Sequence, residues 1–343
     1  MCYNTRLLED PMKYRQLGTT GIRISEIGFG AWAIGGPFTV SGRAIGWGKV
    51  DDKSSLEALV RAFDLGVNFV DTADVYGFGH SEEIVGRATR SSKNEIYVAT
   101  KVGFLRKEIA GSIQDFSPKH ILNSCEGSLG RLGRDCIDLY QLHCVPLKII
   151  QRGDVFSALD KLKKQGKIRA YGVSIITDEE ALAAMKCPGV QCVQIIFNIL
   201  RQKPAKTVLP LAKKNKVGIL ARVPLASGLL TGKFNSRSRF SAEDHRSNPI
   251  PGETFSGVEF NHGVVLANKL RPVATAEKLS MTQLSLGGIL EHDAVTAAIP
   301  GAKNSTQVQE NTSACATKLG QVTMAKIQAM YRDEVAELVE AQY

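Results

Sequence analysis

Residues 67–101 read VNFVDTADVYGFGHSEEIVGRATRSSKNEIYVATK, and the order of patterns within them decides the fold class. Val67–Thr72 is a short, mostly apolar run that ends in polar residues, as a buried strand does where it emerges. Ser81–Arg90 has helical spacing, with Ser81 placed to cap it and Glu82-Glu83 in the first turn, where acids complement the helix dipole. Glu95–Lys101 is strand-like again. Strand, helix, strand is one parallel β-α-β unit, because parallel neighbours need a crossover connection.

The same alternation extends outward. Upstream, Ile27–Ala33 reads as a strand and Asp52–Leu65 as a helix. Downstream, the helix Ser117–Leu132 has Pro118 at its first position, and strand Asp138–His143 follows. Helix Val155–Gln165 is closed by Gly166, before strand Ile168–Ser174. Helix Asp178–Met185, strand Val193–Asn198, helix Pro204–Asn215 and strand Gly218–Pro224 continue the series. Two helices, Val264–Leu279 and Thr282–Glu291, precede the last strand, Val295–Ile299. A helix from about Ser305 and another near Thr323–Ala341 end the chain, and a hairpin signal, Met12–Arg15 with Ile22–Ser25, begins it. About eight such units fit an open doubly wound sheet or a closed barrel. No G-x-G-x-x-G follows the first strand, where Gly28-Phe-Gly30 runs into Trp32. The count and that absence favour an α/β fold of the (β/α)8 TIM-barrel type. Residues 1–11 read as a flexible tail, 12–343 as a single barrel domain, and 226–262 as a long loop on its active face.

Bulk properties narrow the function classes. At 343 residues, 43% hydrophobic and 22% charged, the chain is long enough for a full core without staples. The net charge is +9, but the basic residues are dispersed, with clusters at 131–134, 161–167 and 237–239 mixed with other types. That pattern suits a surface attracting small anions better than nucleic-acid binding. Seven cysteines, an odd number with no C-x-x-C spacing, argue against a disulfide framework or a zinc site and for a reducing compartment. No apolar leader and no apolar run of membrane-spanning length are present, so a cytoplasmic chain without membrane contact is expected.

In a parallel barrel the carboxyl ends of the strands form the active face. Asp71, Lys101 and His143 end three consecutive strands, and Tyr76 lies five residues beyond Asp71. Singly, each has a plain structural reading: a loop carboxylate, a half-buried aromatic, a satisfied core histidine. Together they form a specific constellation. The pieces IGFGAW, NFVDTADVYGFGHSEEIVG, VATKVG, LGRDCIDLYQLH, GKIRAYGVS, VQIIFN, VPLASGLLTGK and IPGAKNSTQVQEN surround them. On these motifs the chain resembles the aldo-keto reductase superfamily from about residue 12 to about residue 315. It looks most like the branch that includes potassium-channel β-subunits and bacterial general reductases.

The resemblance implies NADPH-dependent reduction of an aldehyde or ketone, with Tyr76, Asp71, Lys101 and His143 as the catalytic tetrad. Physical chemistry supports those roles. The alkoxide left by hydride addition needs a proton, which Tyr76 can supply as general acid. A Lys101 ammonium favours the phenolate and lowers the tyrosine's pKa. Asp71 would keep Lys101 charged, and His143 would hydrogen-bond the carbonyl oxygen. The resemblance further implies that Ser174 and Gln194 hold the nicotinamide carboxamide and that Phe197 stacks on the ring. Ile175 stands where the family has Asn, a lost hydrogen bond that costs about 1 kcal/mol of cofactor affinity. The family's pyrophosphate loop falls on Pro224, Leu225, Ser227, Gly228, Leu230 and Lys233. Gly301, Lys303, Gln307, Glu310 and Asn311 fall at the adenosine 2′-phosphate and adenine, which favours NADPH over NADH. Ala31 and Trp32 follow the first strand. Trp32, Tyr76 and His143 would line the substrate pocket, and Cys144-Val145-Pro146 after His143 suggests an apolar one. No metal is expected. The partner expected is a small carbonyl substrate, with homo-oligomerisation open because the family ranges from monomers to octamers.

Competing readings are weaker. A Schiff-base role for Lys101 would need a desolvated, uncharged amine, which an acidic partner opposes. An NADPH-binding partner protein of channel β-subunit type, with weak reductase activity, is the alternative within the same family.

Overall fold

The computed structural model describes residues 12–342. The 1–11 tail expected from sequence lies outside them. Eight parallel strands form one sheet: β1 (Phe29–Gly30), β2 (Phe69–Asp71), β3 (Tyr97–Val102), β4 (Ile137–His143), β5 (Ile168–Ser174), β6 (Cys192–Ile196), β7 (Gly218–Arg222) and β8 (Val295–Ala298). Their order in the sheet is their order in the chain. Parallel bridges Ile27–Ala298 and Gly30–Gly301 join the first strand to the last and close the barrel. Gly28 N donates to Ala298 O at 2.8 Å, and Gly30 N to Pro300 O at 3.0 Å. At this seam a Cβ on Gly30 would lie 2.6 Å from Ile299 O, so only glycine lets the two backbones meet.

The barrel interior is filled by Phe69, Ala99, Leu139, Ala170, Cys192 and Leu220, one large ring among small and medium side chains. The predicted hairpin is Tyr14–Gln16 with Arg23–Ser25, and its Leu17, Ile22 and Ile24 plug one end of that interior. The opposite faces of the strands bury Val70, Val98, Val173 and Val193 against the helices. Two helix starts follow the capping rules read from sequence, but Ser81 is no cap. Its helix runs His80–Ser91 from Gly79 without a side-chain cap, and Ser81 Oγ donates to Ala31 O at 2.8 Å instead. Ser117 Oγ accepts from His120 N ahead of Pro118–Leu132, and Thr177 with Glu180 forms a reciprocal capping box.

Several local expectations change. β1 is shorter than Ile27–Ala33, because Ala31–Ile34 turns into a 3-10 helix that swings Trp32 over the barrel mouth. Two antiparallel hairpins rise from the same rim, Thr39–Val40 with Arg43–Ala44 and Phe104–Ile109 with Ser112–Gln114. Neither carries the strong alternation that would announce it. The 226–262 segment contains turns at Ala226–Thr231, His245–Ser247 and Thr254–Gly257. Its following helix starts at Phe260, earlier than Val264, because Glu259 accepts from Asn261 N and His262 N. The terminal helix is divided into Gln321–Met330 and Ala336–Val339 by the wider turn Tyr331–Val335. Among the described residues no helix is long and apolar enough to cross a membrane, and the cysteines there are free thiols.

Candidate active site

The carboxyl ends of the strands open into a cleft of about 1150 Å³. The register explains which residues share its floor. Asp71 pairs with Ala99, Lys101 with Gln141, His143 with Ser174, and Ser174 with Gln194. From β2 to β4 each strand's last polar residue lies two positions beyond its neighbour's partner, so Asp71, Lys101 and His143 face the same rim in steps.

A buried ion pair anchors the floor. Lys101 Nζ donates to Asp71 Oδ2 at 2.6 Å, to Thr72 O at 2.8 Å and to Tyr76 Oη at 3.1 Å. Asp71 Oδ1 accepts from Gln194 Nε2 at 2.8 Å and from Gln141 Nε2 at 3.1 Å. Lys101 is fully buried and Asp71 is 3% exposed, so water screens this pair little. Burial alone would push the lysine pKa down, but Asp71 and Tyr76 reverse that and the net direction is up. Lys101 is held as an ammonium.

For Tyr76 the balance differs from the sequence expectation. Burial raises its pKa more than Lys101 lowers it, so the phenol stays protonated. His143 is neutral, its pKa well below the ordinary value through burial, Lys101 and Arg222. The rings of Tyr76 and His143 meet edge to face at 5.8 Å, and Phe104 lies 4.9 Å from His143 on another side. Trp32 stacks on Tyr76 at 6.0 Å and donates from Nε1 to Ile45 O.

A tight turn holds Tyr76 in place. Gly77 has φ +61°, and a Cβ there would lie 2.0 Å from Gly35 O. Gly77→Ala should therefore force the Ala31–Ile34 and Tyr76–Gly79 turns apart, at about 1–3 kcal/mol for overpacking. Thermal unfolding measures this, and an unchanged midpoint would refute the close approach.

The sequence-nominated residues fall in the cleft lining, its floor, the surrounding scaffold and, for Phe197, the outer core. Trp32, Asp71, Tyr76, His143, Gln194, Pro224, Leu225, Ser227, Gly228, Lys233, Gly301, Lys303, Gln307, Glu310 and Asn311 line the cleft. Lys101 and Ser174 are fully buried at its floor, and Ala31 and Leu230 are buried in the surrounding scaffold. Phe197 is not where a stacking ring must be. It is 1% exposed, packed in the strand-helix core with its ring edge-on to His292 at 5.0 Å. Strand alternation turns Phe197 away from the barrel axis, while Gln194 faces it. Ile175 is also fully buried in that outer core, so only its backbone serves the site.

The 223–228 loop is strained. Val223, Ala226 and Ser227 have φ of +51°, +46° and +55°, a region that L-residues seldom occupy. Cross-links hold it there: Asn198 Nδ2 donates to Val223 O at 2.9 Å and to Ser256 Oγ at 2.7 Å, and Phe255 N donates to Ser227 Oγ at 3.2 Å. Farther along the cleft, Trp47 and Asp244 form a bridge, and His245 N donates to Gly46 O at 2.8 Å. Lys303 Nζ donates to Trp47 O at 2.7 Å. Arg246 pairs with Asp244 at 2.6 Å and lies 4.6 Å from the Trp47 ring centroid. Burial lowers the pKa of Lys303, and neighbouring Arg246 and Lys233 lower it further. Burial, with Arg246, does the same for Lys233. Three cations thus share one corner, Lys303 and Arg246 part-buried and Lys233 exposed.

Sequence reading missed Arg222, Trp47, Phe104, Gln141 and Arg246. Arg222 ends β7 as Asp71 ends β2, so the strand-end rule could have found it. Trp47 and Arg246 come together only through tertiary bridging, which no local pattern announces.

Comparison with known proteins agrees with this architecture. The Aldo/keto reductase family model matches residues 26–332. Aldo-keto reductase YhdN of Bacillus subtilis is 33% identical over 87% of this chain and 87% of its own. The NADH-specific methylglyoxal reductase of Escherichia coli is 29% identical, covering 96% of this chain and all of that one. The "Probable voltage-gated potassium channel subunit beta" of Oryza sativa subsp. japonica is 28% identical over 88% of this chain and 91% of that one. Among solved structures, the glycerol dehydrogenase AKR11B4 from Gluconobacter oxydans superposes with a TM-score of 0.77 at 30% identity, covering 94% of this chain and 96% of that one. This chain belongs to the aldo/keto reductase family and shares its (β/α)8 fold and its oxidoreductase class.

Proposed function

We propose that the chain reduces an aldehyde or ketone to the alcohol with NADPH, and that Tyr76 donates the proton. The observation carrying this reading is the buried network in which Lys101 touches Tyr76 Oη at 3.1 Å and Asp71 at 2.6 Å, beside a neutral His143. A nicotinamide cofactor, when bound, supplies the hydride. The protein's own groups handle position and proton. Tyr76, kept protonated by burial, faces the cleft with its oxygen hydrogen-bonded to an ammonium. Loss of its proton to an alkoxide leaves a phenolate that Lys101 stabilises, while Asp71 holds the ammonium in register. A neutral imidazole donates one N–H without competing for the proton, which suits His143 for orienting a carbonyl oxygen.

Residues present fit the cofactor. Ser174 Oγ and His143 Nδ1 are buried at the floor without a hydrogen-bond partner in the protein, and buried polar atoms of that kind call for one. Ser174 and Gln194 would hold the carboxamide, the 224–228 loop and Lys233 the pyrophosphate, and Lys303 with Gln307, Glu310 and Asn311 the adenosine end. The corner shared by Lys233, Arg246 and Lys303 favours a cofactor bearing an additional phosphate. Among the relatives, one is described as NADH-specific, so cofactor choice needs its own test. In a fluorescence titration Lys303→Ala should weaken NADPH at least about tenfold, the scale of a lost hydrogen bond to a charged group, and NADH less than about twofold. Equal losses for both would remove Lys303 from the 2′-phosphate.

The inner mouth is walled by Trp32, Phe38, Val40, Phe104, Ile113 and Pro146. Gln114 Nε2 pins the 104–114 hairpin by donating to His143 O and Cys144 O at 3.2 and 3.1 Å. The substrate class this wall favours is a carbonyl with an aromatic or branched apolar body. An aromatic aldehyde should show a higher kcat/KM than glyoxylate, whose carboxylate has to be desolvated here. The reverse order would reject the apolar assignment.

A further inference from the structure

Glu82 and Glu83 share the first turn of the helix His80–Ser91, where an acid in water complements the helix dipole. Glu83 is exposed and serves in that way. Glu82 is fully buried, and a buried carboxylate is costly unless its oxygens are paired. Here Oε1 accepts from Thr100 Oγ1 at 2.6 Å and Oε2 from Arg131 Nε at 2.6 Å. Thr100 precedes Lys101 in β3 and is itself fully buried. Arg131 lies against the turn that carries Tyr76, since a Cβ on Gly79 would sit 2.4 Å from Arg131 Cδ.

That turn has to be held in place. Gly77, Phe78 and Gly79 have φ of +61°, +53° and +103°. A phenylalanine seldom takes such a value, and strain of this kind persists where neighbours over-determine it. The backbone ladder between the two strands reaches Asp74, whose N donates to Lys101 O at 3.3 Å, and Tyr76 lies two residues beyond. Glu82 spans this gap, with one oxygen on the strand of Lys101 and the other on the arginine behind the turn. Beside it Ser81 Oγ donates to Ala31 O, so its 2.8 Å contact with Thr72 takes the hydrogen from Thr72 Oγ1. The same helix end therefore also grips the residue after Asp71.

We propose that Glu82 is a positioning residue for proton transfer, acting through Thr100 and Arg131 to set the 3.1 Å contact between Lys101 Nζ and Tyr76 Oη. The proposal rests on the proton-donor reading of Tyr76 above. Lys101 and Tyr76 come from a strand and from a strained turn, and Glu82 ties one to the other. Reaction rates are steep in such geometry, and a displacement of about 1 Å costs about a hundredfold. Glu82 lies outside the cleft lining, so its effect falls on the chemical step and leaves cofactor and aldehyde binding alone.

Three variants test this. Thr100→Val keeps the shape of the side chain and removes its hydroxyl, and Thr100→Ser restores the hydroxyl. Glu82→Gln keeps the length but offers one acceptor oxygen where two are used. Single-turnover reduction of an aromatic aldehyde by NADPH is followed at the nicotinamide band, beside NADPH affinity by fluorescence and the thermal midpoint. Thr100→Val and Glu82→Gln should each slow reduction by the folded enzyme about tenfold or more, with the NADPH dissociation constant within about twofold of wild type. Thr100→Ser should recover most of the loss. A merely structural role would lower the midpoint and leave the rate of the folded enzyme unchanged, which would overturn the proposal. So would Thr100→Ser performing no better than Thr100→Val. Where Glu82→Gln does not fold, the Thr100 pair decides alone. Wild-type turnover in Tyr76→Phe overturns the proton-donor reading and this proposal with it, whereas a disabled Tyr76→Phe beside unimpaired Thr100→Val and Glu82→Gln overturns this proposal alone.

Discussion

Tyr76→Phe is expected to lower turnover at least about a hundredfold, the scale of a lost general acid, while cofactor affinity changes little. The substitution removes one oxygen that contacts Lys101 at 3.1 Å and leaves the ring between Trp32 and His143. Lys101 retains Asp71 and Thr72 O as partners, so no bare charge is created and the fold should hold. Steady-state kinetics beside a binding titration separates the two effects, and near-normal turnover would end the proton-donor assignment. The pH profile carries a further sign. Burial raises the Tyr76 pKa above its ordinary value near 10, so the donor remains protonated through the neutral range. The reduction rate should decline only as the pH rises past about 10, and His143, held neutral, should add no inflection near 6.5.

Lys101→Met should damage stability as well as chemistry. It strands Asp71, 3% exposed, with two amide donors and no cation. Removing one partner of a buried ion pair costs about 3–5 kcal/mol, because the other charge stays buried and uncompensated. Denaturant unfolding should show that loss. The double variant Asp71→Asn/Lys101→Met should regain much of the stability, since no lone charge remains, yet stay inactive. Recovery of activity in the double variant would refute the role given to the pair, and a fully stable single variant would refute its burial.

The barrel was legible because each β-α unit carries its own signals: Glu82-Glu83 and Pro118 in first turns, Gly166 past a helix end, apolar strands between. Strand ends then placed Asp71, Lys101 and His143 on one rim of the barrel, since parallel strands bring their carboxyl ends together. What escaped depends on contacts across the barrel mouth. The hairpin from Phe104 to Gln114 is fixed by Gln114 reaching the His143 and Cys144 carbonyls, a tertiary bond with no local pattern. Phe197 takes its stacking role from the family resemblance, but strand alternation sends it outward. The Tyr76 pKa direction was misjudged because sequence offers the cation and not the burial that outweighs it.

The central claim is that this cleft uses a nicotinamide cofactor to reduce a carbonyl, and the loss of nicotinamide absorbance after mixing purified protein, NADPH and an aromatic aldehyde tests it most directly. The account predicts aldehyde-dependent oxidation of NADPH, one alcohol formed for each cofactor consumed, and none of it in Tyr76→Phe above about a hundredth of the wild-type rate. Tight NADPH binding with no turnover of any aldehyde or ketone in a broad panel would contradict it.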